Sequence, residues 1–340
     1  MKAVYVTGRG TNGWVDVPTP EVGPDDVLLE VKACGICGSD AMYTMYGGIP
    51  PRQGATPLGH EPAGEVVEVG ANVTGVRVGD HVVPNPMMAP SGIIGSGGAY
   101  GALAEYLLIE QAEPGVTLRV IPDHVPWEVA ALNEPMAVAH HAVNRSGAKE
   151  GDTAVVFGAG PIGLGAVISL KSKGVPHVVV VDLIPSRLEK ALRVGADAVI
   201  DSGEEDVVSR LCEIHGEIPA RPGHPPKAGT DVYIDAAGAA AVVQTALSAA
   251  KHGSVLTVVA THKRPVEVDF GEILGAELDI RTSMGYPTEI FEVTDAIIEH
   301  WEKYAVIVSD ELPFDQTLDA LSLAATPGAA DKVMVTFGER

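Results

Sequence analysis

A short glycine-rich stretch near the amino terminus begins a set of side chains of the types that bind zinc. Cys37 offers a thiolate, and Gly59-His60-Glu61 offers an imidazole and a carboxylate. Together they make a catalytic zinc site with one position left for water or substrate. Glu134 is a second candidate for the carboxylate, and the residues alone do not choose between Glu61 and Glu134. Because the thiolate and one carboxylate already neutralise the ion, we expect the two glutamates to bind unequally.

These residues also have ordinary interpretations. Cys34 and Cys37 form a Cys-x-x-Cys pair that a redox protein could use, although such a pair is expected at a strand-to-helix turn of a βαβ unit. A structural site of four thiolates is excluded because the chain has three cysteines, the last being Cys212. We interpret Cys34 as structural and Asp40 as the acceptor that orients the imidazole of His60.

A second glycine-rich segment carries the fingerprint of a dinucleotide site. Gly158, Gly160 and Gly163 form Gly-x-Gly-x-x-Gly, with Pro161 and Ile162 between the last two glycines. The motif follows an apolar strand pattern and opens a helix, which distinguishes it from a chance match. The first glycine permits the tight turn, the second leaves room for the pyrophosphate, and the third lets helix and strand pack closely. Amides at the helix amino terminus then face the phosphates.

The acid that follows the next strand indicates which dinucleotide binds. Asp182 is placed to accept hydrogen bonds from the adenosine ribose hydroxyls and to repel a 2′-phosphate. This favours NAD over NADP. Arg187 is the residue that argues for NADP, because an arginine so close in sequence to Asp182 could bind a 2′-phosphate. Its alternative interpretation is an ordinary solvated helix residue.

The elements that must position these two sites differ in type. Up to about Val143, short apolar stretches broken by Gly and Pro predict a β-rich, barrel-like unit. From Gly151, strand and helix patterns alternate, which indicates a doubly wound parallel sheet of the α/β class. A helix is expected from Pro185 to a stop at Gly195, and a proline-rich surface loop over 217–229. Strands are predicted at 154–157, 178–181, 198–200, 232–234 and 255–259.

Composition narrows the class of partner. The 340 residues include 45 Asp and Glu against 23 Lys and Arg, and the formal charge of -22 disfavours nucleic acid and anionic membranes. This length predicts about two domains. No secretory signal pattern is visible and three cysteines are too few for a disulfide framework, so we expect a cytoplasmic protein that binds a small molecule.

Taken together, these motifs resemble those of the zinc-dependent medium-chain alcohol dehydrogenases. Glu134-Pro135 makes the chain most similar to the sorbitol, butanediol and threonine dehydrogenase branch. The resemblance implies a GroES-like catalytic domain over 1–143 and 284–340, a Rossmann NAD-binding domain over 144–283, one catalytic zinc, and a dimer or tetramer. It covers essentially the whole chain and rests on residues 35–40, 59–62, 79–82, 133–135, 158–163 and 182.

The resemblance also implies roles around the zinc. Ser39 matches the hydroxyl that takes the alcohol proton toward the coenzyme ribose, beside the ligands Cys37 and His60. Met42 stands where relatives often have the histidine that passes this proton to solvent, so the outer end of the relay is left unassigned. The loop from Asn85 to Gly101 has no cysteine, so the four-cysteine structural zinc of many relatives is expected to be absent.

The implied reaction is hydride transfer between NAD and a secondary alcohol of the diol or polyol class, with zinc polarising the alcohol oxygen. One alternative is a zinc-free reductase of quinones or enones on the same fold, which would have no use for this ligand set. Another is a non-catalytic nucleotide-binding protein, in which a ligand or glycine should be lost. We interpret His140 and His141 as helix residues rather than ligands. Residues that could line a substrate pocket are Tyr43, Tyr46, Met87, Met88 and Ile93.

Overall fold

The computed structural model describes residues 1–49, 55–219 and 225–338. The chain divides into two compact units, one formed by 1–134 with 290–340 and the other by 135–289. The first is β-rich and the second is built on a parallel sheet, so the predicted α/β class with a β-rich unit and a doubly wound sheet is confirmed. Among the described residues, no helix has the length and apolar character needed to cross a membrane.

The first unit opens with short strands that carry one helix between them. The chain leaves this unit within α3. The strands are β1 Lys2–Gly8, β2 Thr11–Asp16, β3 Val27–Gly35, β4 Thr56–Pro57, β5 Glu61–Val69, β6 His81–Pro84, β7 Tyr106–Ile109 and β8 Leu118–Ile121. The helices are α1 Gly38–Tyr46, α2 Trp127–Ala130 and α3 Asn133–Ser146.

The second unit alternates strands and helices. Its strands are β9 Thr153–Phe157, β10 His177–Asp182, β11 Ala198–Asp201, β12 Glu217–Ile218, β13 Lys227–Ala228, β14 Val232–Asp235, β15 Val255–Val258 and β16 Asp279–Thr282. Its helices are α4 Pro161–Ser172, α5 Pro185–Val194, α6 Val207–His215, α7 Ala240–Ala249 and α8 Phe270–Leu274. The chain then returns to the first unit through α9 Ile290–Ala305, β17 Asp310–Pro313, α10 Thr317–Ala325 and β18 Val333–Thr336.

The central strand of the first unit is β3, which pairs with β5, β7 and β18. The larger sheet runs β17-β18-β3-β5-β6-β8, and a smaller sheet runs β2-β1-β4. Leu29, Val31 and Val66 are among the buried side chains of the core between them. Burying these β-branched and aliphatic residues holds the ends of β3 and β5 in a fixed register.

The sheet of the second unit has the order β11-β10-β9-β14-β15-β16, and every neighbouring pair is parallel. The strand order reverses between β9 and β14, which is where open α/β sheets bind their ligands. The predicted strands correspond to β9, β10, β11, β14 and β15. The predicted helix is α5, which ends at Gly195 in the left-handed conformation with φ of 115°.

The expected loop over 217–229 is partly structured. Glu217 and Ile218 in β12 pair with Lys227 and Ala228 in β13 in antiparallel fashion, so the two ends of the segment form a short hairpin. The prolines and glycines suggested turns but gave no pairing signal for such short strands. Residues 220–224 of this prediction lie outside the described residues.

Candidate metal and coenzyme sites

The register of two strands brings the candidate zinc ligands together. Gly35, at the end of β3, pairs with Glu61, the first residue of β5. Cys37 follows β3 as the N-cap of α1, and His60 directly precedes β5. Antiparallel pairing therefore places a thiol from one strand end beside an imidazole and a carboxylate from the other.

The three ligand atoms form a compact group. One ligand atom from each of Cys37, His60 and Glu61 lies within 4.8 Å of the other two. His60 and Glu61 are buried, and Oε1 of Glu61 has no hydrogen-bond partner in the described part of the chain. A buried carboxylate oxygen without a partner is costly unless a cation binds there. The donor set and this unpartnered oxygen both fit a zinc ion with an open position.

Two polar residues of α1 flank the imidazole of His60. Ser39 Oγ lies 3.2 Å from Nε2, and Asp40 Oδ1 lies 3.6 Å from Nδ1. Asp40 is fully buried, and its other oxygen accepts a hydrogen bond of 2.9 Å from the Cys37 amide. Burial disfavours the imidazolium, but the charges of Asp40 and Cys37 outweigh it and raise the pKa of His60 well above its ordinary value. A bound metal would have to displace this proton, since a ligating imidazole is neutral.

The neighbouring Cys34 has a different environment from Cys37. Its side chain is fully buried, and its thiol donates to the carbonyl of Gly35 at 3.5 Å. Burial, assisted by the charges of Asp40 and Glu61, raises the pKa of Cys34 far above its usual range. Because the thiolate is the reactive form in thiol exchange, this environment disfavours a redox pair with Cys37.

In the second unit, each glycine of the fingerprint occupies a place where a side chain would interfere with the turn, the helix packing or the approach of a ligand. Gly158 has φ of 95°, and a Cβ on Gly163 would stand 1.8 Å from the Gly158 carbonyl oxygen. Gly160, the N-cap of α4, faces open space on the side where a Cβ would lie, and Pro161 opens the helix with Ile162 next. The turn is therefore tight, the helix packs closely on β9, and the amino terminus of α4 is open for a pyrophosphate.

Asp182 is the last residue of β10, one strand away from the glycine turn. Its Oδ2 accepts a hydrogen bond of 2.6 Å from the Ala159 amide, and its Oδ1 accepts the amides of Leu183 and Ile184. These bonds fix the carboxylate at the carboxyl edge of the sheet, where acceptor capacity remains for a ribose hydroxyl. Arg187 lies partly buried on α5.

The chain is similar to known dehydrogenases over most of its length. The alcohol dehydrogenase GroES-like domain model matches residues 23–119, and the zinc-binding dehydrogenase model matches residues 161–299. The (R,R)-butanediol dehydrogenase of Neisseria gonorrhoeae is 34% identical over 328 residues, covering 88% of each chain. The sorbitol dehydrogenase of Bacillus subtilis is 32% identical, covering 91% of this chain and 89% of its own.

The chain belongs to the zinc-dependent medium-chain alcohol dehydrogenase family, in its sorbitol and butanediol dehydrogenase branch. A crystal structure of the 2R,3R-butanediol dehydrogenase of Bacillus subtilis matches with a TM-score of 0.84 at 29% identity, covering 98% of this chain and 99% of that one. This dehydrogenase is thus an oxidoreductase of alcohols that uses zinc and a nicotinamide coenzyme.

The dehydrogenase has a residue near the ligands that the sequence did not reveal. Lys332 is 3% exposed, and its Nζ donates hydrogen bonds to Glu61 Oε2 and, at 3.0 Å, to the Ile36 carbonyl. Burial disfavours its ammonium, but the charge of Glu61 outweighs it and raises the pKa of Lys332. The pair is 271 residues apart in sequence and meets because β18 pairs with β3. A buried lysine beside a candidate ligand has no local sequence signal.

Glu134, the other candidate carboxylate, is the second residue of α3 and lies outside the group of three ligand atoms. Its charge contributes to raising the pKa of Lys332. His140 and His141 lie further along α3, where Nδ1 of His140 lies 2.7 Å from Ser169 Oγ and Nδ1 of His141 lies 2.8 Å from Glu289 Oε1. The structure therefore places both histidines apart from the ligand group.

The glycine-rich loop of the dehydrogenase packs against the backbone that leads to His60. A Cβ on Gly95 would stand 2.0 Å from the Gly59 carbonyl oxygen, and one on Gly101 would stand 2.4 Å from that of Leu58. Glycine is required here for close approach, and the loop packs against the backbone that positions His60.

Within the described residues, no second group of three His, Cys, Asp or Glu side chains is arranged to hold a metal. Of the residues suggested for a substrate pocket, Tyr43 is buried and hydrogen-bonded to Ser96, whereas Tyr46, Met87, Met88 and Ile93 are exposed.

Proposed function

We propose that this dehydrogenase interconverts a secondary alcohol of the diol or polyol class and its ketone, with NAD as the coenzyme. The observation that carries the proposal is the group of Cys37, His60 and Glu61 with its unpartnered carboxylate oxygen. The substrate class is suggested by the butanediol and sorbitol dehydrogenases among its relatives.

The proposed metal is one catalytic zinc held by Cys37, His60 and Glu61. When bound, zinc supplies a Lewis acid that lowers the pKa of an alcohol oxygen. Glu134 is proposed to act on the same site without being a permanent ligand. No structural zinc is proposed, because the loop from Asn85 to Gly101 contains no cysteine.

Two residues of α1 are proposed to serve the ligands and the substrate proton. Asp40 Oδ1 faces Nδ1 of His60 at 3.6 Å, on the side of the ring away from Ser39, and its charge would orient the imidazole when zinc is bound. Ser39 takes the alcohol proton, since its hydroxyl lies beside the imidazole and has freedom to rotate. We expect Ser39→Ala to lower kcat while the zinc content stays at that of the unchanged protein.

The preference for NAD is proposed from the position of Asp182. A carboxylate fixed by three backbone amides cannot move aside for a 2′-phosphate, and it would repel that group. We therefore expect kcat/KM with NAD to exceed that with NADP. Asp182→Ala should reduce the difference.

A homo-oligomer, dimer or tetramer, and a cytoplasmic location complete the proposal. The location follows from the composition. The oligomer is supported by β16, which ends the sheet order, and by large apolar side chains of α8, β16 and the segment after β16 that are exposed in the single chain. They are Phe270, Leu274, Ile280 and Met284. An edge strand with exposed apolar neighbours favours pairing with another chain.

One experiment tests the central proposal. The metal content of the purified protein is measured by atomic spectroscopy, and diols, polyols and simple secondary alcohols are screened by NADH absorbance. We expect about one zinc per chain and turnover that is lost with a chelator and restored by zinc. Zinc-free protein that still reduces enones would reject the proposal.

A further inference from the structure

The second unit contains a carboxylate–imidazole pair that the zinc and glycine sites do not use. Asp235 is the last residue of β14 and is fully buried, and His262 follows the end of β15. Nε2 of His262 lies 2.7 Å from Oδ2 of Asp235, and the histidine side chain is 17% exposed. A buried carboxylate needs a partner, and this imidazole provides it.

Asp235 also ties two loops together at the carboxyl edge of the sheet. Its Oδ1 accepts hydrogen bonds from the amides of Ala237, at 3.0 Å, and Gly238, at 2.9 Å. Its backbone carbonyl accepts the amides of Val259 and Ala260, which follow β15. Both loops are therefore bonded to Asp235. The Asp235 carboxylate in turn fixes the position of the His262 ring.

The pair fixes which nitrogen of His262 faces outward. An ionised carboxylate only accepts hydrogen bonds, so Nε2 must carry the proton that is donated to Asp235. In the neutral ring, Nδ1 is then an acceptor. It has no hydrogen-bond partner in the described part of the chain. His262 thus presents an oriented acceptor that nothing in its own unit uses.

Sheet topology places this acceptor opposite Asp182. A doubly wound sheet binds one mononucleotide half on each side of the point where the strand order reverses. Asp182 ends β10 on the side of β9 and β11, whereas Asp235 and His262 end β14 and follow β15 on the other side. The two sides meet at the glycine turn, since a Cβ on Gly158 would lie 3.1 Å from backbone atoms of Ala236 and Ala237.

We propose that His262, oriented by Asp235, binds the second ribose of the dinucleotide, with Nδ1 accepting a hydrogen bond from a ribose hydroxyl. This rests on the proposed nicotinamide coenzyme and adds a contact for its second half. Asp182 serves the adenosine ribose, and His262 serves the ribose beyond the pyrophosphate. Asp235 is the positioning residue of the pair.

Three ligands of increasing length test the proposal by direct binding, without turnover. ADP contains only the adenosine ribose, ADP-ribose adds the second ribose, and NADH adds the nicotinamide. Dissociation constants are measured by calorimetry on the purified holoenzyme. We expect His262→Ala to weaken ADP-ribose and NADH by about three- to tenfold, the value of one hydrogen bond, and to leave ADP unchanged. Asp182→Ala should weaken all three ligands.

Two further variants separate a contact from a structural effect. His262→Lys keeps an N–H for Asp235 and has no acceptor, so it should weaken ADP-ribose relative to ADP as His262→Ala does, with a Tm equal to that of the unchanged protein. His252→Ala removes a histidine that is 70% exposed in the same unit, and it should change none of the dissociation constants.

The outcomes are distinct. Equal weakening of ADP and NADH, or no weakening in either His262 variant, overturns the role of His262. If His262→Ala does not fold, the binding constants of His262→Lys decide by the same criteria. Failure of the unchanged protein to bind NADH would instead reject the proposed coenzyme.

Discussion

We expect the buried ion pair between Lys332 and Glu61 to couple the unfolding free energy to zinc binding. Their side chains are 3% and 1% exposed. Lys332→Met removes the ammonium and keeps most of the side-chain volume. In zinc-free protein the Glu61 carboxylate then stays buried without its partner, which costs about 3–5 kcal/mol of unfolding free energy.

Zinc should reduce this cost, because it supplies positive charge to the same carboxylate. What remains lost in the zinc-loaded variant is mainly the hydrogen bond from Nζ to the Ile36 carbonyl. A hydrogen bond from a charged group contributes about 1.5–3 kcal/mol. The effects with and without zinc then differ by about 1–3 kcal/mol. By linkage, Lys332→Met should bind zinc about 5- to 150-fold more tightly.

Urea unfolding of zinc-free and zinc-loaded protein measures the two costs, and competition with a chelator measures the zinc affinity. Lys171→Met is the matched control, because Lys171 pairs with Asp197 at 3.0 Å with about a quarter of its side chain exposed, 27%. Such a surface pair contributes about 0–1 kcal/mol with or without zinc. The reasoning is refuted if Lys332→Met loses the same unfolding free energy in both states, or binds zinc more weakly.

Three other perturbations have defined outcomes. Glu61→Gln should lose most of the bound zinc, whereas Glu134→Gln should retain it and lower kcat, as measured by metal analysis and NADH absorbance. Gly163→Ala should abolish NADH binding measured by calorimetry, because its Cβ would stand 1.8 Å from a backbone oxygen. Burial favours the neutral acid of Glu289, but hydrogen bonds led by that of His141 outweigh it and lower its pKa from 4.5 to about 2. The stability that Glu289 contributes is present above pH 4.5 and lost as the pH falls toward 2. The unchanged protein should therefore have a higher unfolding free energy than Glu289→Gln above pH 4.5, and this difference should disappear as the pH approaches 2.

Each of these expectations has a contrary result. Retention of zinc by Glu61→Gln together with its loss from Glu134→Gln would exchange the roles of the two glutamates. Normal NADH binding by Gly163→Ala would mean that the turn can open. A constant stability difference between Glu289→Gln and the unchanged protein from about pH 7 to about pH 2 would show that the carboxylate does not titrate in that interval.

The features predictable from sequence are those whose physical cause is local. Gly158, Gly160 and Gly163 lie on one turn, so their spacing alone encodes the close approach of helix and strand. The stop of α5 at Gly195 is likewise encoded by one residue that adopts positive φ without strain. Apolar runs such as β9 indicate strands that are covered on both faces.

The features that sequence did not reveal depend on long-range pairing. Lys332 stands at the start of an apolar strand pattern, and only the pairing of β18 with β3 carries its ammonium to Glu61. His262 lies in a loop after β15, and its importance comes from the buried carboxylate at the end of β14. In both cases a buried charged group has its partner on a different strand or the loop after it. The spacing of residues along the sequence does not indicate such a contact.

The charges around the ligands give a physical reason for two glutamates near one zinc. In the proposed zinc site, the thiolate of Cys37 and the carboxylate of Glu61 would together cancel the two positive charges of the ion. Lys332 is buried against Glu61, and the charge of Glu134 also acts on it, so a second carboxylate near the site is balanced by a fixed ammonium. A permanent bond from Glu134 to zinc would place both carboxylates on a cation that one carboxylate and the thiolate already neutralise. In the proposed site Glu134 would therefore not be a permanent ligand, and the ammonium of Lys332 would offset its charge.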